Sequence, residues 1–421
     1  MYFKIEDVLA RQIFDSRGNP TIEVEVLTKD AKGIASVPSG ASKGKEEAVE
    51  LRDEGKEFHG KGVTRAVKNV EKIIKPALKG MDVREQEKID KKMIEIDATK
   101  NKRILGGNVC IGVSIAACKC AAVSLEKEVY EYLNENSFLL PIPFMNVING
   151  GMHAGNNLHI QEHMIAPVRA KNFHDAMRMG SEIYHTLKEK IVDKFGRTAC
   201  NVGDEGGFAP PISRSEDALE LIMDAIEENG YEKEVMLAID SAASSFYKNG
   251  YYVMDKKMTS GDLLDYYMEL ARTYPIISIE DGFDEEDWDA FAEITKKVGE
   301  KIQILGDDIF VTNPRRLRKG IKEGVCNSLL LKPNQIGTLT EAMEVANICH
   351  DEKYGIMVSH RSGDTCDDFI ADLAVAINAG QIKSGAPARG ERVAKYNRLL
   401  KIEEMLEKSE YGGKRWNKWG L

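Results

Sequence analysis

Four short apolar runs in the second half of this 421-residue chain each end on a charged side chain, and no other feature restricts the fold as much. The runs are Val-Met-Leu-Ala-Ile-Asp240, Ile-Ile-Ser-Ile-Glu280, Ile-Gln-Ile-Leu-Gly-Asp307 and Leu-Leu-Leu-Lys332, with segments of helical length and period between them. The intervals between strand-end polar residues, from 240 to 280, 307, 332, 360 and 383, run from 23 to 40 residues, enough for one strand, one helix and their loops. A parallel barrel is the simplest closed form of such an array, and it gathers every strand C-terminus on one face. Carboxylates at those ends, without Cys or His among them, favour a hard cation such as Mg2+ over zinc or copper.

Upstream the character changes. Thr21, Glu23 and Glu25 alternate with Ile22, Val24 and Val26, as in a half-exposed strand of an antiparallel sheet. Apolar spacing turns helical from Lys61 to about Asp97 and again from Val109 to Leu133. Residues 1–135 therefore read as an α+β unit and residues 136–421 as the barrel, with Pro141 and Pro143 punctuating the boundary. A net charge of −10, without a basic stripe, argues against nucleic acid as a partner. The seven cysteines include no Cys-x-x-Cys pair, and Cys110, Cys118 and Cys120 lie among small apolar residues of a helix expected to be buried, so they read as packing thiols. The N-terminus has no apolar signal core and no charge-free apolar stretch reaches spanning length, so a cytoplasmic location without a membrane partner is expected. The basic, aromatic end from Lys414 to Trp419 reads as a docked or frayed tail.

Several motifs carry chemistry. The loop Gly40-Ala-Ser-Lys-Gly44-Lys45-Glu46 is one residue short of a phosphate loop and has Glu46 where a Ser or Thr should hold Mg2+, yet Ser42 can supply a hydroxyl from a mobile lid. His159-Ile-Gln-Glu162-His163 matches the inverted zinc-protease pattern, which requires a helix. Pro167 behind it and Gly150, Gly151 and Gly155 before it make the segment loop then strand, where positions i and i+4 are about 13 Å apart. Gln161 and Glu162 then become candidate substrate contacts near a strand end. Gly203-Asp204-Glu205-Gly206-Gly207 sets two acids between glycines, as a general acid in a ligand-hugging loop or as a plain Asp-Gly turn. His360-Arg361-Ser362-Gly363-Asp364-Thr365 joins a cation, a hydroxyl and an expected helix start, and with Lys383 at the next strand end it suits an anionic substrate.

Assembled, these residues resemble the enolase family from end to end. The resemblance rests on Asp15-Ser-Arg-Gly-Asn-Pro20, Ser39-Gly-Ala-Ser42, Asn149-Gly-Gly-Met-His153, Gly203-Asp-Glu205-Gly-Gly-Phe-Ala-Pro210, Ser278-Ile-Glu280-Asp281, Gly306-Asp307-Asp308, Leu331-Lys332-Pro-Asn-Gln-Ile-Gly337, Ser359-His360-Arg361-Ser362 and Lys383-Ser-Gly-Ala-Pro-Ala-Arg389. It implies an α/β protein: an irregular C-terminal (β/α)8 TIM-like barrel under an N-terminal α+β cap, usually assembled as a dimer or higher homo-oligomer. It implies reversible dehydration of 2-phosphoglycerate to phosphoenolpyruvate, with Asp240, Glu280 and Asp307 on one Mg2+ and Ser42 helping to bind a second that arrives with substrate. Lys332 is then the base at C2 and Glu205 the acid for the C3 hydroxyl. Gln161, Arg361, Ser362 and Lys383 match substrate-binding positions, and His153, Glu162 and His360 match further active-site positions.

That chemistry accounts for the residue types. Removing a proton beside an ionised carboxylate adds a second negative charge to the group. A single charge pair at 4 Å is worth only about 4 kcal/mol at an effective dielectric near 20, so one lysine cannot stabilise the product of that step while divalent ions can. The superfamily as a whole couples a Lys or His base to one or two Mg2+ ions. A lysine must be neutral to act as base, against an ordinary pKa of about 10.4, so metal and Lys383 are expected to depress that of Lys332. Racemases and cycloisomerases of the superfamily carry a Lys-x-Lys pair at a barrel strand end, and the nearest match, Lys188-Glu-Lys190, falls in a helical stretch. A non-catalytic scaffold would have lost a ligand or the base, and none is missing.

Overall fold

The computed structural model describes residues 2–40 and 44–413. The expected hydroxyl of Ser42 and the tail from Lys414 to Trp419 lie outside the described residues.

Strands β1 (Asp7–Phe14), β2 (Pro20–Leu27) and β3 (Lys32–Ser36) form an antiparallel sheet in that order. The polar face of β2 is less exposed than its alternation suggests. Arg11 of β1 bridges Glu23 at 2.6 Å and Glu25 at 2.9 Å, and Thr21 and Glu25 are buried. The helix Gly107–Ser124 packs on the other face, against β2 and β3. It is long and apolar enough to cross a bilayer by length and composition, but it carries the charged Lys119, which pairs with Asp367 at 2.8 Å, and it is mostly buried inside the protein. The three cysteines in it are free and buried, as read.

Helix and sheet approach so closely at Gly33 that a β-carbon there would lie 2.1 Å from the Ala116 carbonyl oxygen and 2.3 Å from the Cys120 nitrogen. Backbone cannot yield as a side-chain tip can. Gly33→Ala is therefore expected to cost on the order of 1–3 kcal/mol, read as a lower midpoint in urea unfolding.

Eight strands close the barrel: β4 (Ile142–Asn149), β5 (Glu162–Ala166), β6 (Met236–Asp240), β7 (Ile276–Glu280), β8 (Gln303–Gly306), β9 (Ser328–Leu331), β10 (Gly355–Ser359) and β11 (Gly380–Lys383). From β6 to β11, and from β11 round to β4, every pairing is parallel. β5 runs antiparallel to both neighbours, which breaks the all-parallel expectation. A parallel strand needs a crossover, usually helical. Between β4 and β5 there is only the short turn Gly151–His153 and irregular chain, so the polypeptide re-enters the barrel from the end it has just reached. The first residue of β5, Glu162, thereby lies opposite Asp240, the last of β6.

Inside the barrel Gln303 and Gln381 hydrogen-bond one another at 2.9 Å, with Ser278 and Ser328 as further partners of Gln303, so this buried polar layer is internally satisfied. No helix starts at residues 360–365. That stretch is irregular, Ser39 bridges to Gly363, and the next helix begins at Phe369.

Candidate active site

The strand-end rule brings the acidic residues together. Asp240 and Glu280 are register partners on β6 and β7, and Asp307 follows β8 directly. Lys383, the last residue of β11, places its Nζ 3.0 Å from Asp240 Oδ2, 2.8 Å from both oxygens of Glu280 and 3.1 Å from Glu162 Oε1. Lys332, just after β9, contacts Asp307. His153, Gln161, Glu205, His360, Arg361 and Ser362 line the same cleft, so the described candidate catalytic, metal and substrate residues converge on it or, for Glu280, on Lys383 within it.

Pro333 costs no hydrogen bond here. It opens the short helix Pro333–Ile336, where the missing N–H would have had no partner in the helix. The zinc-protease reading fails as anticipated: His163 is on β5 beside Glu162, and neighbours on a strand face opposite ways. Lys188 and Lys190 lie in the helix Phe173–Phe195, where Lys190 pairs with Glu228 at 2.6 Å.

The electrostatics of the acidic group favour a cation. Burial, then the like charges of Asp240 and Asp307, hold the Glu280 carboxyl well above the usual carboxylate range, against the pull of Lys383. Burial alone would raise Asp307, but the Lys332 ammonium holds it below its ordinary value. Buried oxygen donors that repel one another suit a hard divalent ion. Among the described residues, a carboxylate cluster close enough to hold a metal ion lies beside them: Asp281, Asp307 and Asp308, one oxygen of each within 4.8 Å of the others. In it Asp281 accepts from the backbone N–H groups of Asp307 and Asp308, both at 2.9 Å, which orients the Asp307 turn. The difference from the strand-end triad arises because Lys383 sits between Asp240 and Glu280 while Asp307 faces Lys332.

The pairing with Asp307 dominates Lys332. Burial works to lower its pKa and so do Arg361 and Lys383, but the contact with Asp307, helped by Glu280, carries it above the ordinary lysine value. The lowering by Lys383 acts as expected, and Asp307 outweighs it.

Two glutamates share the other part of the cleft. One oxygen each of Glu162 and Glu205 and a ring nitrogen of His153 lie within 4.8 Å of one another. Burial, then the charge of Glu205, raises Glu162 well above the carboxylate range. Burial would raise Glu205 too, but His360, His153 and Lys383 hold it well below. Its Oε1 is 3.5 Å from His153 Nδ1 and 3.5 Å from His360 Nε2, and Asn146 donates to Oε2 at 3.0 Å.

Asn146, Glu47, Gln335 and Asp281 escaped the sequence reading. Glu47 grips Arg361 with both oxygens at 3.1 Å, and Gln335 donates to Asp307 Oδ1 at 2.8 Å. Asp281 and Gln335 sit inside motifs already noted and were open to notice. Asn146, mid-strand, and Glu47, one of many acids in its loop, gave no local signal.

Buried His163 has a testable consequence. Burial pushes its pKa from 6.5 down to about 4. Below pH 6.5 the unfolded chain takes up a proton that the folded one refuses, so stability is expected to fall as pH drops through that window, by up to about 3 kcal/mol. Urea unfolding at stepped pH should show that loss, and His163→Gln should flatten it.

Comparison with known proteins follows the same division of the chain. A family model described as "Enolase, C-terminal TIM barrel domain" matches residues 137–419, and one described as "Enolase, N-terminal domain" matches residues 5–133. Curated enolases of Methanocaldococcus jannaschii and Pyrococcus furiosus are each 56% identical to this chain, covering 98% and 99% of it and 98% of their own lengths. That of Thermococcus gammatolerans is 57% identical over 98% of both chains. With the barrel, its reversed second strand and its acidic rim already in view, those matches leave one assignment: the chain belongs to the enolase family.

Proposed function

We propose that this protein is a glycolytic and gluconeogenic phosphopyruvate hydratase, which interconverts 2-phospho-D-glycerate and phosphoenolpyruvate with Mg2+. The observation that carries the reading is one cleft holding three separate devices: a buried lysine, an acidic cluster beside it and a close carboxyl pair whose surroundings push their pKa values apart. In this reading Asp240, Glu280 and Asp307 bind a divalent cation, with Ser42 contributing to a second. The metal supplies the positive charge that offsets the second negative charge developing on the substrate carboxylate.

The chain's own groups do the rest. Lys332, as free amine, removes the C2 proton. Arg361, Ser362, Gln161 and Lys383 bind the anionic substrate, and the cation-rich side of the cleft favours its phosphate and carboxylate. Glu162 keeps the proton that the pair shares at rest, because burial and the Glu205 charge disfavour its ionisation. Glu205, between His153 and His360, passes it to the departing C3 hydroxyl. Pushing two carboxyl pKa values apart is how neighbouring acids acquire different roles.

The division at residues 135/136 into cap and catalytic domains belongs to the same proposal, as does a homo-oligomer in a cytoplasmic setting. Supporting self-association, β1 is the edge strand of its sheet and presents Leu9 and Phe14 to solvent. The test of function is ultraviolet absorbance of the enol double bond after adding 2-phosphoglycerate with Mg2+. A rise that EDTA abolishes supports the reading; no rise from folded, Mg2+-supplied protein overturns it.

A further inference from the structure

Arg392, in the first turn of the helix Gly390–Met405, is fully buried and heads the fully buried side chains in size. Its Nη1 meets His360 Nδ1 at 2.6 Å and donates to the Arg361 carbonyl at 2.7 Å. Its Nη2 donates to the carbonyls of Asp204 at 2.9 Å and Ser362 at 2.6 Å. Asp364 at 3.6 Å and Glu391 at 3.3 Å balance its charge.

A guanidinium carries donors only and stays protonated. The His360 Nδ1 it meets must therefore offer a lone pair. The one proton of the neutral ring then resides on Nε2, which lies 3.5 Å from Glu205 Oε1. In the other tautomer an N–H would face the guanidinium and a lone pair would face the carboxylate, so both contacts would become repulsive. The same guanidinium ties down the carbonyl preceding Glu205 and the one following His360.

We propose that Arg392 is a positioning residue for the dehydration: it locks His360 in the Nε2–H tautomer and fixes the spacing of His360 and Glu205. Glu205 then faces the Nε2–H edge of His360, 3.5 Å away, and the ring cannot turn its lone pair on the acid. The catalytic consequence rests on the reading of Glu205 as the acid, whereas the tautomer does not.

The test is NMR of the full-length protein with 15N-labelled histidine rings, His360 being assigned by the signals lost in His360→Gln. Long-range 1H–15N correlations report which ring nitrogen holds the proton. The expected result is a neutral ring protonated at Nε2 in the wild type, and a mixed tautomer or a protonated ring in Arg392→Lys. In that variant kcat should fall about 10–100-fold, with KM changing far less and the melting curve showing a folded protein. An Nδ1–H or doubly protonated ring in the wild type overturns the proposal, whether or not the variant folds. So does a folded Arg392→Lys that keeps the Nε2–H tautomer, or one that loses it with kcat unchanged. Inactivity of the wild type toward 2-phosphoglycerate, with the tautomer as expected, would instead sink the functional reading.

Discussion

Lys332→Ala should abolish turnover while leaving substrate and metal binding in place. General-base removal costs about 10²–10⁴-fold, and the upper end applies here because, among the described residues, the other cleft cations already have carboxylate partners: Lys383 faces Asp240, Glu280 and Glu162, and Arg361 faces Glu47. A second effect follows from the contact between Lys332 and Asp307. Removing the ammonium leaves a buried carboxylate without its charge partner, which typically costs 3–5 kcal/mol, so the metal-free variant should melt well below the wild type. Mg2+ would then bind Asp307 without displacing a lysine, and its affinity should hold or increase. Stopped-flow turnover, thermal melts with EDTA and titration calorimetry with Mg2+ read the three effects. Turnover within tenfold of the wild type would rule Lys332 out as the base.

Glu280→Gln should have the opposite stability signature. Glu280 is buried among like charges that disfavour its ionised form, and Lys383 keeps Asp240 and Glu162 as partners when Glu280 is neutralised. The metal-free melting temperature is expected to stay level or rise. Metal affinity should fall by at least about 10²-fold, in line with the loss of one charged ligand, and activity with it. Wild-type protein at 100 times the dissociation constant of Mg2+ gains about 2.7 kcal/mol, and the variant at the same concentration should gain almost none. A variant that still binds Mg2+ with wild-type affinity would remove Glu280 from the ligand set. The pair of variants separates two roles that activity alone would confuse: one is inactive with metal bound, the other because metal is not held.

Much of this was legible along the chain because barrel geometry turns a local pattern into a spatial one. An apolar run ending in Asp240, Glu280, Asp307 or Lys332 states its own position once the strands are parallel, since each strand C-terminus must reach the same rim. Glu162 breaks that logic. It begins a strand, and it reaches the rim only because β5 runs backwards, a choice made by the short, helix-free connection from β4. The helix expected after His360 is absent because that segment instead pairs with Ser39 of the cap and leans on Arg392.

Sequence by itself pointed to the barrel, to the strand-end carboxylates Asp240, Glu280 and Asp307 on its rim and to the candidate base, through period, strand-end chemistry and the density of motifs. Only the tertiary structure decided the protonation balance of the site. A pKa depends on which charges stand within a few ångströms, so Asp307 beside Lys332, the histidines around Glu205 and the guanidinium behind His360 had to be seen in space.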